Sequence, residues 1–384
     1  MKILITTDLF TVATNGVVTS VKNLYEELVK MGHDVRILTL SDDIHSHKAS
    51  NVYYIRSVPF GVYPDVRMPI AFRHRLMREI IEWKPDIIHS QCEFFSFQFA
   101  EYIGKETGAP IVHTYHTLYE QYVRYVFPSR RIGRRIVRTF SRKRLEGVSR
   151  IIAPTKKVEN TLSGYGIVNN MTIIPSGISL KQHQIRVPEQ ILKKRRRELK
   201  IDEDKVVMIN LGRLGTEKNL GELIDFFAKA RELYDNLIFM IVGDGPAKDE
   251  LQQQAERLGV SDSVIFTGMV EPGEVQNYYQ LADVFVSAST SETQGLTYVE
   301  AAANGLPLLC REDLCLQDVL RQGENGFSYN NEEEFLAAIK NISENKEWRK
   351  KAAEISREIA ASFDKAKFGA AVEKVYLSVI EKNK

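Results

Sequence analysis

The chain has 384 residues, 43% of them hydrophobic and 27% charged, with 52 Lys and Arg against 50 Asp and Glu. These are globular values, and the length exceeds what one core usually fills, so two domains are expected. No apolar run reaches the roughly 20 residues of a membrane helix, and Met1-Lys-Ile-Leu-Ile-Thr-Thr-Asp8 enters a strand without a signal-peptide pattern, so a cytoplasmic location is expected.

Apolar runs at 2–7, 34–40, 52–56, 86–89, 111–114, 150–153 and 172–174 read as strands alternating with helical segments. This βαβ rhythm predicts a parallel sheet. A helix over 17–31 sets Val21, Leu24, Tyr25 and Leu28 on one face, and Gly32 ends it. Before it lies Asp8-Leu-Phe-Thr-Val-Ala-Thr-Asn-Gly16, whose Asn15-Gly16 suits a tight turn with close backbone approach at Gly16. In Ile111-Val-His-Thr-Tyr-His116 the two-residue alternation points His113 and His116 to opposite sides unless the strand has already ended. Cys92, Cys310 and Cys315 form no metal-ligand pattern and read as reduced thiols.

Residues 181–200 are polar and basic and read as a linker. Strand-helix alternation then resumes, with strands at 206–211, 237–242, 264–267, 284–287 and 306–310, and a last helix over 363–380. The turn after strand 206–211 carries Arg213 and Lys218 at the edge of an open α/β sheet where ligands bind. A guanidinium fork and a mobile ammonium suit a diphosphate leaving group. In Ser289-Thr-Ser-Glu-Thr-Gln-Gly-Leu-Thr-Tyr-Val-Glu300, Gly295 stands where a helix begins, a place that favours phosphate through unsatisfied N–H groups. Glu292 lies on that turn, able to accept sugar hydroxyls. Glu300 lies just over a turn inside the helix, able to accept the paired hydroxyls of a ribose. Asp202-Glu-Asp204 sits in a polar stretch and is not read as a metal site, so no metal is expected.

Gly212-Arg-Leu, Glu217-Lys-Asn, Val242-Gly-Asp-Gly-Pro246 and the Glu-x7-Glu segment together resemble the retaining glycosyltransferases of family 4 over nearly the whole chain. The resemblance implies an α/β chain of GT-B fold, two Rossmann-like doubly wound domains facing a central cleft. They would comprise an acceptor-side domain over 1–180 plus 365–384, joined by the returning C-terminal helix, and a donor domain over 190–364. It implies a nucleotide-sugar co-substrate and no metal. Catalytic roles then fall to His116, Arg213, Lys218 and Glu292. Donor binding falls to Gly16, Gly268, Val270, Thr293, Gln294, Gly295, Leu296, Thr297 and Glu300. Retention by same-face attack, with the leaving phosphate taking the proton, and double displacement through Glu292 both stay open.

Segments 67–83 and 124–144 are rich in Arg and interleaved with apolar residues, the first setting Phe72, Leu76, Ile80 and Trp83 along one helical face beside Arg73, Arg75 and Arg78. Basic amphipathic helices bind anionic membrane surfaces, although such helices also pack on their own sheets. No nucleic-acid reading module is present, so nucleic acid is not an expected partner. The Ser291–Thr297 run, Asn15-Gly-Val-Val-Thr-Ser20 and Cys310-Arg-Glu-Asp-Leu-Cys315 are similar to bacterial diacylglycerol glucosyltransferases. That similarity implies UDP-glucose as donor, diacylglycerol as acceptor and a peripheral place on the inner face of the membrane. A family member using a soluble or polysaccharide acceptor, and a sugar-nucleotide sensor, are the alternatives.

Overall fold

The computed structural model describes all residues except 11–14, 61–66, 73, 124–126, 128, 169 and 384. The expectations for the middle of the Asp8–Gly16 loop, for Arg73 and for the start of segment 124–144 therefore lie outside the described residues. The chain forms two compact units, 1–178 with 365–384, and 179–364.

Among the described residues of the first unit, nine strands form one sheet. They are β1 (Lys2–Thr7), β2 (Asp34–Ser41), β3 (His47–Ala49), β4 (Val52–Pro59), β5 (Arg67–Pro69), β6 (Ile87–Ser90), β7 (Ile111–Thr114), β8 (Arg150–Ala153) and β9 (Met171–Ile173). The order is β3-β4-β2-β1-β6-β7-β8-β9, with β5 paired to β4. The pairings from β4 to β9 along this path are parallel, while β3 and β5 join β4 antiparallel. Ile3, Leu4 and Ile5 of β1 are all buried because both sheet faces are covered. One face meets helix Gly16–Lys30 through Val21, Leu24 and Leu28. Helices Arg75–Trp83 and Phe95–Thr107 cover the other.

The last helix, Lys365–Lys382, packs Val372, Val375, Tyr376 and Val379 into the same cluster as Ile3 and Ile5. It is tied there by His33 to Glu373 at 2.8 Å and by Tyr376 Oη to His89 Nδ1 at 2.6 Å. The chain thus returns to its first unit at the end.

The second unit holds β10 (Val206–Leu211), β11 (Leu237–Val242), β12 (Val264–Gly268), β13 (Val284–Ser287), β14 (Leu308–Arg311) and β15 (Gly326–Tyr329) in the order β12-β11-β10-β13-β14-β15. All its pairings are parallel. β10 therefore lies where the winding reverses, between β11 and β13.

Several expectations are corrected. The basic stretch 181–200 is no open linker: helices Leu180–His183 and Glu189–Glu198 occupy it, within the second unit. Strands β3, β5 and β15 were not expected, since short edge strands leave little alternation to read. Segment 67–83 is not one amphipathic helix. It opens as β5, and a helix begins only at Arg75, where His74 Nδ1 accepts from Leu76 N at 3.2 Å. Leu76, Ile80 and Trp83 of its apolar stripe are buried against the unit's own sheet. Asn15-Gly16 is likewise a helix cap, with Asn15 Oδ1 accepting from Val18 N at 2.8 Å, instead of a tight turn.

Asp8, just past β1, accepts from Ser96 N at 2.8 Å at the start of helix Phe95–Thr107. Burial pushes its carboxyl up from 3.8 to about 6, against the pull of the Ser96 bonds. A raised folded-state value means that the native chain holds this proton more tightly than the unfolded chain. Its contribution is thus full below about pH 3.8 and is lost as pH rises through about 6. Asp8→Asn, which keeps the acceptor oxygen, is expected to melt above the wild type at pH 8 by up to about 3 kcal/mol of stability, with the gain fading toward pH 4. Thermal melts across that range check it, and parallel wild-type and variant curves would remove the assignment.

Candidate functional site

At the carboxyl edge of the second sheet, the turns after β10 and β13 are neighbours because those strands pair. Arg213 and Lys218 come from the first turn, Glu292 from the second. Lys218 Nζ donates to Glu292 Oε1 at 2.5 Å, and Arg213 Nη2 to Glu217 Oε1 at 2.5 Å. Burial pulls the Lys218 ammonium down, but the charge and hydrogen bond of Glu292, helped by Glu217, leave it above its usual range. Lys218 is therefore charged, each expected cation already meets a carboxylate, and Glu292 is engaged by Lys218 instead of standing open on the turn. Glu217 was missed by the sequence reading, although its place four residues after Arg213 is a pairing distance.

The next turn, Val242-Gly-Asp-Gly-Pro246, packs backbone to backbone on the β10 turn. Gly212 N donates to Val242 O at 2.9 Å, Leu214 N to Asp244 O at 2.9 Å and Ala247 N to Leu214 O at 3.0 Å. Gly243 has φ +134°, and a Cβ there would lie 2.0 Å from Gly212 O. Gly243 N reaches across to Gly268 O at 3.0 Å, fixing the end of β12 beside it. Gly268 and Val270 thus sit on this same edge, half-buried.

Gly295 has φ +74°, and helix Leu296–Ala303 begins directly after it. A Cβ at Gly295 would lie 2.6 Å from the Tyr298 ring, which is buried and bonded to Ser287 Oγ at 3.0 Å. Thr293, Leu296 and Thr297 are half-buried around this start, and Gln294 is buried. Glu300 Oε2 accepts from the buried Tyr279 hydroxyl at 3.1 Å, and burial pushes its carboxyl up while that hydroxyl pulls it down. The edge so built holds Arg213 and Lys218, a helix start and the carboxylates of Glu217, Glu292 and Glu300 around backbone that only glycine permits.

The first unit gathers a different set. His116 lies two residues beyond β7, so the strand has ended before it. Its Nε2 and Gln91 Oε1 are 2.7 Å apart, and Gln91, buried directly after β6, was not singled out in the sequence. Burial, then His113, pulls the His116 imidazole down to about 3, so it is neutral near pH 7. A neutral ring facing an amide oxygen carries its proton on Nε2. His113 instead is fully buried, 3.2 Å from Glu93 Oε1, while Tyr119 donates to Glu93 Oε2 at 2.5 Å. Gly16 starts its helix on the carboxyl side of β1. The sequence signal for Gln91 was its position just past the expected strand 86–89, on the ligand-bearing edge.

Both halves of the chain match known families: residues 14–182 match Glycosyltransferase Family 4, and residues 193–359 match Glycosyl transferases group 1. The alpha-monoglucosyldiacylglycerol synthase of Streptococcus pneumoniae is 36% identical over 341 residues, 88% of this chain and 77% of that protein. The chain belongs to glycosyltransferase family 4. The Acholeplasma laidlawii protein of the same name is 32% identical over 100% of this chain and 98% of its own length. The fold is GT-B: the Anabaena protein HepE in complex with UDP superposes with a TM-score of 0.77 at 17% identity, covering 98% of this chain and 100% of that one. HepE has also been solved with UDP-glucose. As a family-4 member the chain is a nucleotide-sugar-dependent hexosyltransferase. No helix among its described residues is long and apolar enough to cross a membrane.

Proposed function

We propose that this glycosyltransferase moves glucose from UDP-glucose to diacylglycerol with retention at the anomeric carbon, working as a peripheral protein on the inner face of the cell membrane. The observation that carries the donor half is the meeting of Arg213, Lys218, Glu292 and the Leu296–Ala303 helix start at the point where the second sheet reverses its winding. The two relatives named alpha-monoglucosyldiacylglycerol synthase support the acceptor and the sugar, and the UDP-glucose complex of HepE supports the donor.

In this reading the diphosphate lies against Arg213, Lys218 and the backbone of Thr293, Gln294, Gly295, Leu296 and Thr297. Glu300 takes the ribose hydroxyls, and the backbone at Gly268 and Val270 reads the base. Gly16 lets the acceptor-side backbone come close to the phosphate. The bond between the anomeric carbon and the phosphate oxygen breaks, the acceptor hydroxyl oxygen bonds to that carbon on the same face, and its proton passes to the leaving phosphate. Charge growing on that phosphate is stabilised by the cations and amides, the electrostatic contribution that usually dominates catalysis. Glu292 accepts sugar hydroxyls while its bond to Lys218 holds the ammonium in place. Neutral His116, held by Gln91, hydrogen-bonds the sugar. No metal ion takes part in this scheme. Helix Arg130–Leu145 faces the anionic headgroups with its arginines.

The test is incubation with diacylglycerol vesicles and UDP-glucose, UDP-galactose or GDP-mannose in separate reactions, with the product identified by mass and NMR. An α-glucosyl lipid from UDP-glucose is expected. No glycolipid from any donor would end the acceptor assignment, and a β-linked product would end the retaining one.

A further inference from the structure

The apolar face of segment 67–83 that the sequence offered to a membrane is buried, yet the same region exposes another. β4 and β5 pair antiparallel with Val58 opposite Met68, and side chains two apart share a face of a strand. Ser57 and Arg67 turn inward, with Arg67 Nε donating to Ser57 Oγ at 2.9 Å. Val58, Met68 and Ile70 turn outward and are 39%, 39% and 53% exposed. Phe60, next along, is held edge-on to Phe95 with centroids 5.6 Å apart.

Phe94, beside it in sequence, meets Phe140 at 5.7 Å. Phe140 belongs to the basic helix Arg130–Leu145, which buries Val137, Ser141 and Leu145 and exposes Ile132 and Ile136. Ile132, Ile136 and Phe140 are four apart and form one stripe along that helix. Arg131, Arg135, Arg138 and Arg142 are all exposed on the same helix. Ring contacts thus tie the helix to Phe94 and the β4–β5 ribbon to Phe95, its neighbour in the chain. Phe94 and Phe95 follow β6 closely in the chain, a few residues after Gln91, which holds His116.

The charge is uneven between ribbon and helix. Around the ribbon Arg56, Arg67, Arg75 and Arg78 are partly offset by Glu79 and Glu82, whereas the helix residues 130–145 carry eight Arg and Lys and no acid. An apolar ridge tied to a dense cationic row complements a surface that is oily below and anionic above, the chemistry of an acidic bilayer.

We propose that the outer face of the β4–β5 ribbon is the bilayer-entering part of this enzyme, with Val58, Met68 and Ile70 among the acyl chains and helix Arg130–Leu145 lying over anionic headgroups beside it. This rests on the lipid-acceptor reading and assigns its membrane contact to a ribbon and a helix joined through Phe94 and Phe95.

Vesicles of equal parts phosphatidylglycerol and phosphatidylcholine, sedimented with the full chain, test it. Met68→Glu/Ile70→Glu is expected to weaken partition about tenfold or more. Its glucosylation of a dissolved short-chain diacylglycerol should stay at the wild-type level, which reports an intact fold. Hydrogen exchange on bound wild-type protein should slow at 56–60, 67–70 and 130–140 together. Binding with protection confined to other segments, or undiminished binding of the variant, would overturn the proposal and leave the lipid-acceptor reading standing. So would loss of a dimer by the variant in vesicle-free buffer, which would make the ribbon a self-association face. Failure of the wild type to glucosylate even the short-chain lipid would strike the acceptor reading itself.

Discussion

Lys218→Ala is expected to lower kcat about 100- to 1,000-fold, the usual cost of removing one preorganised donor aimed at developing charge. The ammonium is already formed and held by Glu292 at 2.5 Å, so no reorganisation is needed when the phosphate begins to leave. The variant should also lose stability, because Glu292 is only partly exposed and would lose its 2.5 Å ion pair with Lys218. Adding Glu292→Gln separates the two effects. The double variant is expected to recover most of the stability, measured in urea, and none of the turnover, measured as UDP release. A Lys218→Ala enzyme as fast as the wild type would show that the diphosphate is stabilised elsewhere.

Gly243→Ala should have the larger structural effect. A Cβ at this position would stand 2.0 Å from Gly212 O, a backbone atom that cannot rotate away, and φ of +134° is itself costly for a side chain. Overpacking and strain together predict a loss of about 3–5 kcal/mol. Relief requires the turns after β10 and β11 to separate, which would move Arg213 and break Gly243 N from Gly268 O. UDP affinity should therefore fall at temperatures where the variant remains folded. Gly273→Ala, where nothing lies within 4 Å of an added Cβ, is the control and should leave both quantities unchanged. Calorimetric melts with and without UDP decide the matter, and a Gly243→Ala protein that melts and binds like the control would refute the close-approach argument.

What the chain order carried on its surface was local. Long buried strands such as 206–211 and 237–242 announced themselves as continuous apolar runs, because parallel strands covered on both faces need no polar side. Glycine, cation and glutamate spacing at 212–218 and 292–300 pointed to the ligand edge, because residues just past strand ends fall there in any doubly wound sheet. The edge strands β3, β5 and β15, three or four residues each, were too short to show a period. Tertiary structure alone decided which partners meet. Lys218 and Glu292 are 74 residues apart and touch because β10 pairs with β13, and Gln91 reaches His116 because β6 pairs with β7. It also decided which apolar faces stay outside: the same Arg-rich pattern hides Ile80 and Trp83 and leaves Met68 and Ile70 in water. Periodicity states that a face is apolar, but only the neighbours that cover it, or fail to, determine whether it becomes core or contact surface.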